Sequence, residues 1–318
     1  MTKPNTAAIN QIRNLLEQAS TAQVWTGRIP AGFTEPTAFV KAPAGRAGAL
    51  NITTTELQAL FTPEGTWRGL DPAAIPAGEV ITMAGALAAN SRAIKAGARL
   101  VIENPNDLQP VNGVPGAVSR LVQQFTSVEA APFAFVLEDA EAPASELPAY
   151  RREIRWGSAK PHAVRFEIKR KDRHAIGDDQ IAADILASIA LGISRAADAA
   201  FLAELASLDE MGLIKPFNFG AAAAQGLTFQ ELRALIGAAG TGATVNAAGD
   251  LAAAGIPAEL VAATAATYTG AFNRAGLAVA EEVTVTAART DRAGTLAVTA
   301  WVNVLPLIPN PAVFWKLA

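Results

Sequence analysis

Ile181, Ile185, Ile189, Ile193, Ala197 and Phe201 recur at every fourth position, and Leu186, Ala190 and Leu205 widen the stripe they make. A strand exposes alternate residues to each face, so only a helix gathers this set on one side. Asp178 or Asp179 can cap its start, and Gly212 and Pro216 end the unit. The span predicted, 178–206, is about 43 Å long at about 1.5 Å per residue. Gly192 sits in its middle at a cost of about 1 kcal/mol relative to Ala. A helix that keeps glycine there is expected to pack closely against something or to bend.

Two alternating runs precede the helix. Tyr150, Ile154 and Trp156 face away from Arg151, Glu153 and Arg155, and Val164, Phe166 and Ile168 alternate with Arg165, Glu167 and Lys169. That period predicts half-buried strands. Before them, Glu138, Asp139, Glu141 and Glu146, with Pro143 and Pro148, make an acidic exposed loop. It has no apolar walls to raise a carboxyl pKa for acid–base work, so it is either solvated or paired between subunits. The segment 151–174 is basic: Arg151, Arg152, Arg155, Lys160, Arg165, Lys169, Arg170, Lys171 and Arg173 outnumber Glu153, Glu167 and Asp172. Three readings of it stand side by side: contact with the phosphates of enclosed nucleic acid, pairing with an acidic loop on the next subunit, or plain solvated charge. The second makes Glu138, Asp139, Glu141, Glu146, Arg151, Arg152 and Arg155 candidate inter-subunit contacts. A ribbon arm hinged on one long helix suits a subunit that clasps its neighbours.

Composition points the same way. Hydrophobic residues are 51% of the 318 and charged residues only 17%, which leaves little polar surface for a free monomer. The net charge of −3 gives no sign of a nucleic-acid binder from overall balance. With no cysteine there is no disulfide, thiolate metal site or thiol nucleophile. No run reaches the roughly 18 apolar residues of a membrane span. The N-terminus lacks the pattern of a secretory signal, so the Asn51-Ile52-Thr53 sequon reads as chance.

Elsewhere the pattern is coarser. Ile9, Ile12, Leu15, Leu16 and Ala19 predict a helix over 7–20. Residues 26–50 read as an extended connector, Thr53–Glu56 as a capped helix start before Leu57 and Leu60, and 63–78 as loop. A helix is expected over 80–97, a strand at Arg99–Glu103, and a boundary in the Pro/Gly/Asn cluster at 104–116. Val118, Leu121, Val122 and Phe125 predict a short helix, and Phe133–Leu137 a strand. Thr228 and Glu231 form a capping-box pattern for a helix over 228–239. Residues 240–256 read as loose chain, and Pro257 opens a helix through Leu260 and Val261. Val283 and Val285 lead to a turn at Asp291–Gly294. The strand returns through Leu296, Val298, Ala300, Val302 and Val304, and Pro306, Pro309 and Pro311 stop it before Val313-Phe314-Trp315.

Catalytic signatures are missing. There is no P-loop motif and no GxSxG elbow. Gly237–Gly242 follows a predicted helix rather than a strand, so it lacks the context of a dinucleotide fingerprint. His162 and His174 match no metal-ligand spacing, and Ser158 with Lys160 is a common turn pair rather than a dyad. No catalytic residue, cofactor or metal is expected, and the chain reads as a non-enzyme.

The order of a short apolar helix, acidic loop, two basic strands, long helix, helical lobe and terminal β segment resembles the major capsid protein of tailed bacteriophages, the HK97-like fold. Leu147-Pro148-Ala149-Tyr150-Arg151-Arg152-Glu153-Ile154-Arg155-Trp156-Gly157 is similar to the returning arm of that family's extended loop. Asp178–Leu205 is similar to its spine helix, and Asn310-Pro311-Ala312-Val313-Phe314-Trp315 to the apolar close of its peripheral domain. The resemblance covers about residues 115–318 and rests on patterns rather than invariant chemical residues.

The resemblance implies an α+β fold with a long spine helix, an extended β-hairpin loop, and peripheral and axial domains. It would divide the chain into an N-terminal arm or extension (1–113), the start of the capsid core (114–137), the extended loop (138–170) and the spine helix of the peripheral domain (171–212). An axial-type domain (213–282) and a C-terminal β segment of the peripheral domain (283–318) complete it. The function it implies is self-assembly, through pentamers and hexamers, into an icosahedral head shell around phage double-stranded DNA, which is contacted non-specifically. Scaffold, portal and decoration proteins are further candidate partners, and a membrane is not. The location implied is the virion, after assembly in the host cytoplasm. Two departures stand out: 207–282 is short for an axial domain, and 1–110 is long for an arm. The Lys–Asn cross-link of some members finds no residue match. The alternatives are an encapsulin-type compartment around a cargo enzyme, and a soluble α/β enzyme that binds a nucleotide at Gly237–Gly242.

Overall fold

A computed structural model describes residues 7–21, 24–25, 39–40, 46–52, 57, 60–61, 82–102, 108–110, 118–120, 123–136, 141–280, 282–291 and 293–317. Helices α1 (Ala7–Thr21), α2 (Met83–Asn90), α3 (Arg92–Lys95), α4 (Arg170–Ile176), α5 (Asp178–Glu210) and α6 (Phe219–Ala224) accompany several β-sheets, and the class is α+β as expected. The chain forms two compact units that interleave in sequence. One comprises Met1–Asn90, Lys160–Ala196 and Ala280–Asn303; the other comprises Ser91–Ala159, Ala197–Val279 and Val304–Ala318. Among the described elements, α5 and the strand Leu296–Leu307 divide their residues between the two.

The predicted long helix is present and runs 33 residues, about 50 Å. Its fourfold stripe is buried: Ile181, Ile185, Ile189, Ile193, Ala197 and Phe201 are all at most 6% exposed. By length and composition alone α5 could cross a bilayer, but 61% of its most apolar stretch is buried inside the protein, as in a core helix. The close packing expected of Gly192 is not there. A Cβ built on it would meet no atom within 4 Å.

In the first unit, Arg46–Ile52 pairs antiparallel with Val283–Arg289, and Val283–Arg289 pairs antiparallel with the strand beginning at Leu296. Lys160–Ile168 joins that last strand as well. The hairpin turn closes because Asp291 Oδ1 accepts the Thr295 N–H at 2.9 Å while Gly294 takes a φ of +90°. Helix α1 lies on this sheet with Ile9, Ile12, Leu15 and Leu16 buried, and Arg13 pairs with Asp179 at 3.0 Å.

The second unit carries a seven-stranded sheet in the order Lys215–Pro216, Phe314–Leu317, Thr267–Gly270, Arg233–Ile236, Ile256–Leu260, Leu251–Ala253, Ala243–Val245. Separately, Gly276–Val279 pairs antiparallel with Val304–Leu307 and parallel with Arg99–Ile102. Phe201 of α5 meets Phe272 and Phe314 with ring centres 5.6 and 6.2 Å away, and all three rings are at most 1% exposed. The Tyr268 hydroxyl donates to Asp209, to which Lys316 also donates at 2.8 Å. Burial and the Asp209 charge push the Tyr268 pKa up to about 12.

Several expectations fail, each for a local reason. The capping box at Thr228 and Glu231 forms, yet it caps only a 3-10 turn, Phe229–Glu231. Ala234, Leu235 and Ile236 are wholly apolar and buried, and they enter the sheet as a central strand, so tertiary burial overrides the cap. Pro257 lies in the strand Ile256–Leu260 rather than opening a helix. The helix expected at 118–125 is two strands, Val118–Arg120 and Gln124–Val128. Residues 133–136 form no strand, and Leu137 lies outside the described residues. The last long strand runs through Pro306 to Leu307. Thr53–Glu56 and 63–78 lie outside the described residues, as does most of 26–50 apart from the strands Phe39–Val40 and Arg46–Ile52.

Candidate functional site

Gln124–Val128 and Ala149–Glu153 make a two-stranded antiparallel ribbon, with Phe125 opposite Arg152 and Ser127 opposite Tyr150. Its root is held on both faces. The Phe125 ring lies under the Arg99 guanidinium at 4.2 Å and fills the space beside Gly276, where a Cβ would stand 2.6 Å from Phe125 Cε2. Arg152 donates to Glu204 on α5 at 2.8 Å and reaches the Ile308 carbonyl at 3.4 Å.

At the far end the chain is clamped once more before it leaves the body. Glu129 N–H donates to the Pro148 carbonyl at 2.8 Å. Glu129 Oε1 accepts from Asn310 Nδ2 at 2.6 Å and lies 3.5 Å from Arg274 Nη1, an ion pair without hydrogen-bond geometry. Arg274 also reaches Glu231 at 3.4 Å. Burial pushes the Glu231 pKa up, but donation from the Thr228 N–H and hydroxyl and from Asn273, with the Arg274 charge, outweighs it, so the carboxyl titrates below its ordinary range.

Between these clamps the described residues of the loop are largely exposed. Phe133 is 99% exposed and Phe135 91%, and Leu147 is 76% exposed on the returning side. Glu141 and Glu146 are exposed too, while Glu138 and Asp139 lie outside the described residues. The structure does not bring Glu141 or Glu146 to Arg151, Arg152 or Arg155 within the chain. Arg152 is engaged as above, Arg155 donates to Glu153 at 2.6 Å, and the Arg151 side chain is exposed with no partner among the described residues.

A second feature lies in the unit that holds α1. The strand Lys160–Ile168, the α5 face from Asp184 to Ala196, and Trp301 with Val302 enclose an open, mainly apolar groove of about 480 Å³. Gly192 is part of its lining, and Val164 and Trp301 remain 41% and 39% exposed beside it. Sequence reasoning missed both the bare phenylalanines and this groove. Pro132-Phe133-Ala134-Phe135 reads as a buried strand by polarity, and the signal against that is its direct run into an acidic, proline-bearing loop. The signal for the groove is Gly192 itself, an unneeded glycine in a helix centre.

The weaker chemical candidates do not assemble. Ser158 Oγ donates to the Arg155 carbonyl at 2.7 Å rather than towards Lys160. Among the described residues no three His, Asp or Glu side chains gather as a metal site would need. Gly237 follows a strand after all, but the Ala238 and Ala239 amides donate to the Ala263 and Ala265 carbonyls. The next element is the strand Ala243–Val245 and not a helix, so no amide cradle faces a phosphate there.

No family model and no curated protein matches this chain. Solved structures similar to it include the capsid of an empty GTA particle computed with C5 symmetry, at 13% identity and a TM-score of 0.44, over 71% of this chain and 89% of that one. A structure from Mycobacterium phage Adephagia is similar at 11% identity and a TM-score of 0.44, covering 72% and 90%. The asymmetric unit of the bacteriophage PhiM1 mature capsid is similar at 8% identity and a TM-score of 0.39, covering 72% and 86%.

Proposed function

We propose that this chain is a shell-forming subunit of the tailed-phage major capsid class, built on the HK97-like plan that its sequence resembles. Copies would join as pentamers and hexamers into an icosahedral head around double-stranded DNA, with scaffold, portal and decoration proteins as further partners and the virion as location. The observation that carries this reading is the clamped ribbon whose loop leaves Phe133 and Phe135 bare. Burying a Phe side chain is worth about 1.5–3 kcal/mol, and both rings go without it in the single chain. A neighbouring copy supplies the burial.

Within this reading the acidic run Glu138, Asp139, Glu141 and Glu146 lies against basic surface on the next copy, Arg151 included. Each exposed ion pair adds about 0–1 kcal/mol, so apolar area repeated over many interfaces carries the shell. Residues 213–282 take the axial role, and the long helix over 171–212 with the β segment 283–318 the peripheral one.

Negative-stain microscopy and size exclusion of the expressed chain test the proposal. Closed megadalton particles are expected, and their absorbance ratio at 260 and 280 nm separates a nucleic-acid shell from a compartment around protein cargo. A compact, stable monomer in dilute buffer overturns it.

A further inference from the structure

Arg289 ends the strand Val283–Arg289 with its side chain turned inward and only 4% exposed, yet among the described residues its Nε and Nη1 have no hydrogen-bond partner. A buried guanidinium with two free N–H donors is strongly disfavoured unless an acceptor reaches it. The side chain lines a pocket with Arg170, Arg173, His174, Asp178 and Ser20. Among the described residues the neighbouring groups do not serve as that acceptor. Asp178 accepts from Arg173, at 2.9 and 2.6 Å. Ser20 Oγ donates to the Glu17 carbonyl at 2.9 Å. Arg170 Nε donates to His174 Nε2 at 3.3 Å. Three guanidinium charges against one carboxylate leave the pocket two positive charges to the good.

We propose that this pocket is a phosphate-binding site, with Arg289 donating to it from the wall and Arg170 meeting other oxygens from the rim. A guanidinium carries several N–H donors in fixed directions, and an oxyanion has oxygens enough for more than one guanidinium. A carboxylate side chain would serve Arg289 but leave Arg170 and one positive charge unanswered. A phosphate group has oxygens for both. The group can come from free inorganic phosphate or from a nucleic-acid backbone, and the site stands apart from the assembly reading.

Isothermal titration of the full chain with inorganic phosphate, with a short DNA duplex, and with a peptide spanning residues 141–148 distinguishes the sources. Saturable phosphate binding is expected, weakened by at least about tenfold in Arg289→Met. Arg170→Ala, at the exposed rim, should weaken it too and covers the case in which R289M fails to fold. Duplex binding that is stronger than phosphate binding and lost in both variants assigns the group to nucleic acid. The proposal is overturned if phosphate does not bind saturably, if both variants bind as wild type does, or if the acidic peptide binds and phosphate cannot displace it.

Discussion

Ser91 donates its hydroxyl to Asp198 at 2.6 Å across 107 residues of sequence. The same carboxylate accepts the Arg92 and Ala93 N–H groups at 2.8 and 3.0 Å. Helix α3 is therefore capped twice, by Ser91 locally and by a carboxylate of α5 from afar, because the first amides of a helix have no intrahelical acceptor. Burial raises the Asp198 pKa, and the hydrogen bonds and the Arg92 charge offset that only in part.

Asp198→Ala orphans three donors in a buried place and should cost about 3 kcal/mol. The pH sign follows from the raised folded pKa. The folded chain holds the proton more tightly than the unfolded one, so this group's contribution to stability is greatest below the unfolded value of about 4. It falls as pH rises to the folded pKa, then levels. Denaturant midpoints of wild type against Asp198→Asn across that window check it, since the amide cannot titrate and should lack the slope.

Glu231 gives the opposite slope. Its folded pKa is lowered, so its contribution is present above the unfolded value of about 4.3 and is lost as pH falls through the folded one. Glu231→Ala should cost about 1 kcal/mol near neutrality, typical of a lost cap, and much less in acid. Equal losses at both pH values would contradict this. Because Arg274 bridges Glu231 to Glu129, the variant should also raise hydrogen exchange at the root of the loop.

Two adjacent arginines separate folding from assembly. Arg152 fastens the ribbon to Glu204 with side chains about one-third exposed, and Arg152→Ala should lower stability by about 1 kcal/mol. Arg151→Glu should leave unfolding unchanged and reduce particle yield, because its side chain is free for a neighbour. Thermal unfolding and particle counts of both variants read the two effects separately.

What was legible in the chain follows its periodicity. The fourfold stripe of α5 and the alternation at 150–168 each repeat often enough to exclude the other period. Ala234–Ile236 and Ile256–Leu260 are short apolar runs that fit a buried strand or a helix segment equally, and a capping box and a proline tipped the reading the wrong way. The exposed loop was legible in charge, and its phenylalanines were not, since polarity alone places a Phe inside. Arg289 carries no local mark at all. Its meaning comes from a hairpin and a helix that bring residues 170, 173 and 289 to one pocket.

Gly192 and Gly276 should answer the same substitution with opposite signs. A Cβ on Gly276 would stand 2.6 Å from Phe125 Cε2 and 3.0 Å from the Arg99 carbonyl, and neither the stacked ring nor the backbone can give. Gly276→Ala should cost about 1–3 kcal/mol as overpacking and loosen the ribbon root. At Gly192 the Cβ meets open space and glycine's helix penalty is relieved, so Gly192→Ala should stabilise the isolated chain by up to about 1 kcal/mol. A larger side chain there, as in Gly192→Leu, fills the groove between Val164 and Trp301. If that groove is an assembly surface, Gly192→Leu particles should form poorly while its unfolding midpoint stays at or above that of wild type. Normal particle yield from Gly192→Leu would remove the groove from the interface and leave the loop phenylalanines to find their burial elsewhere.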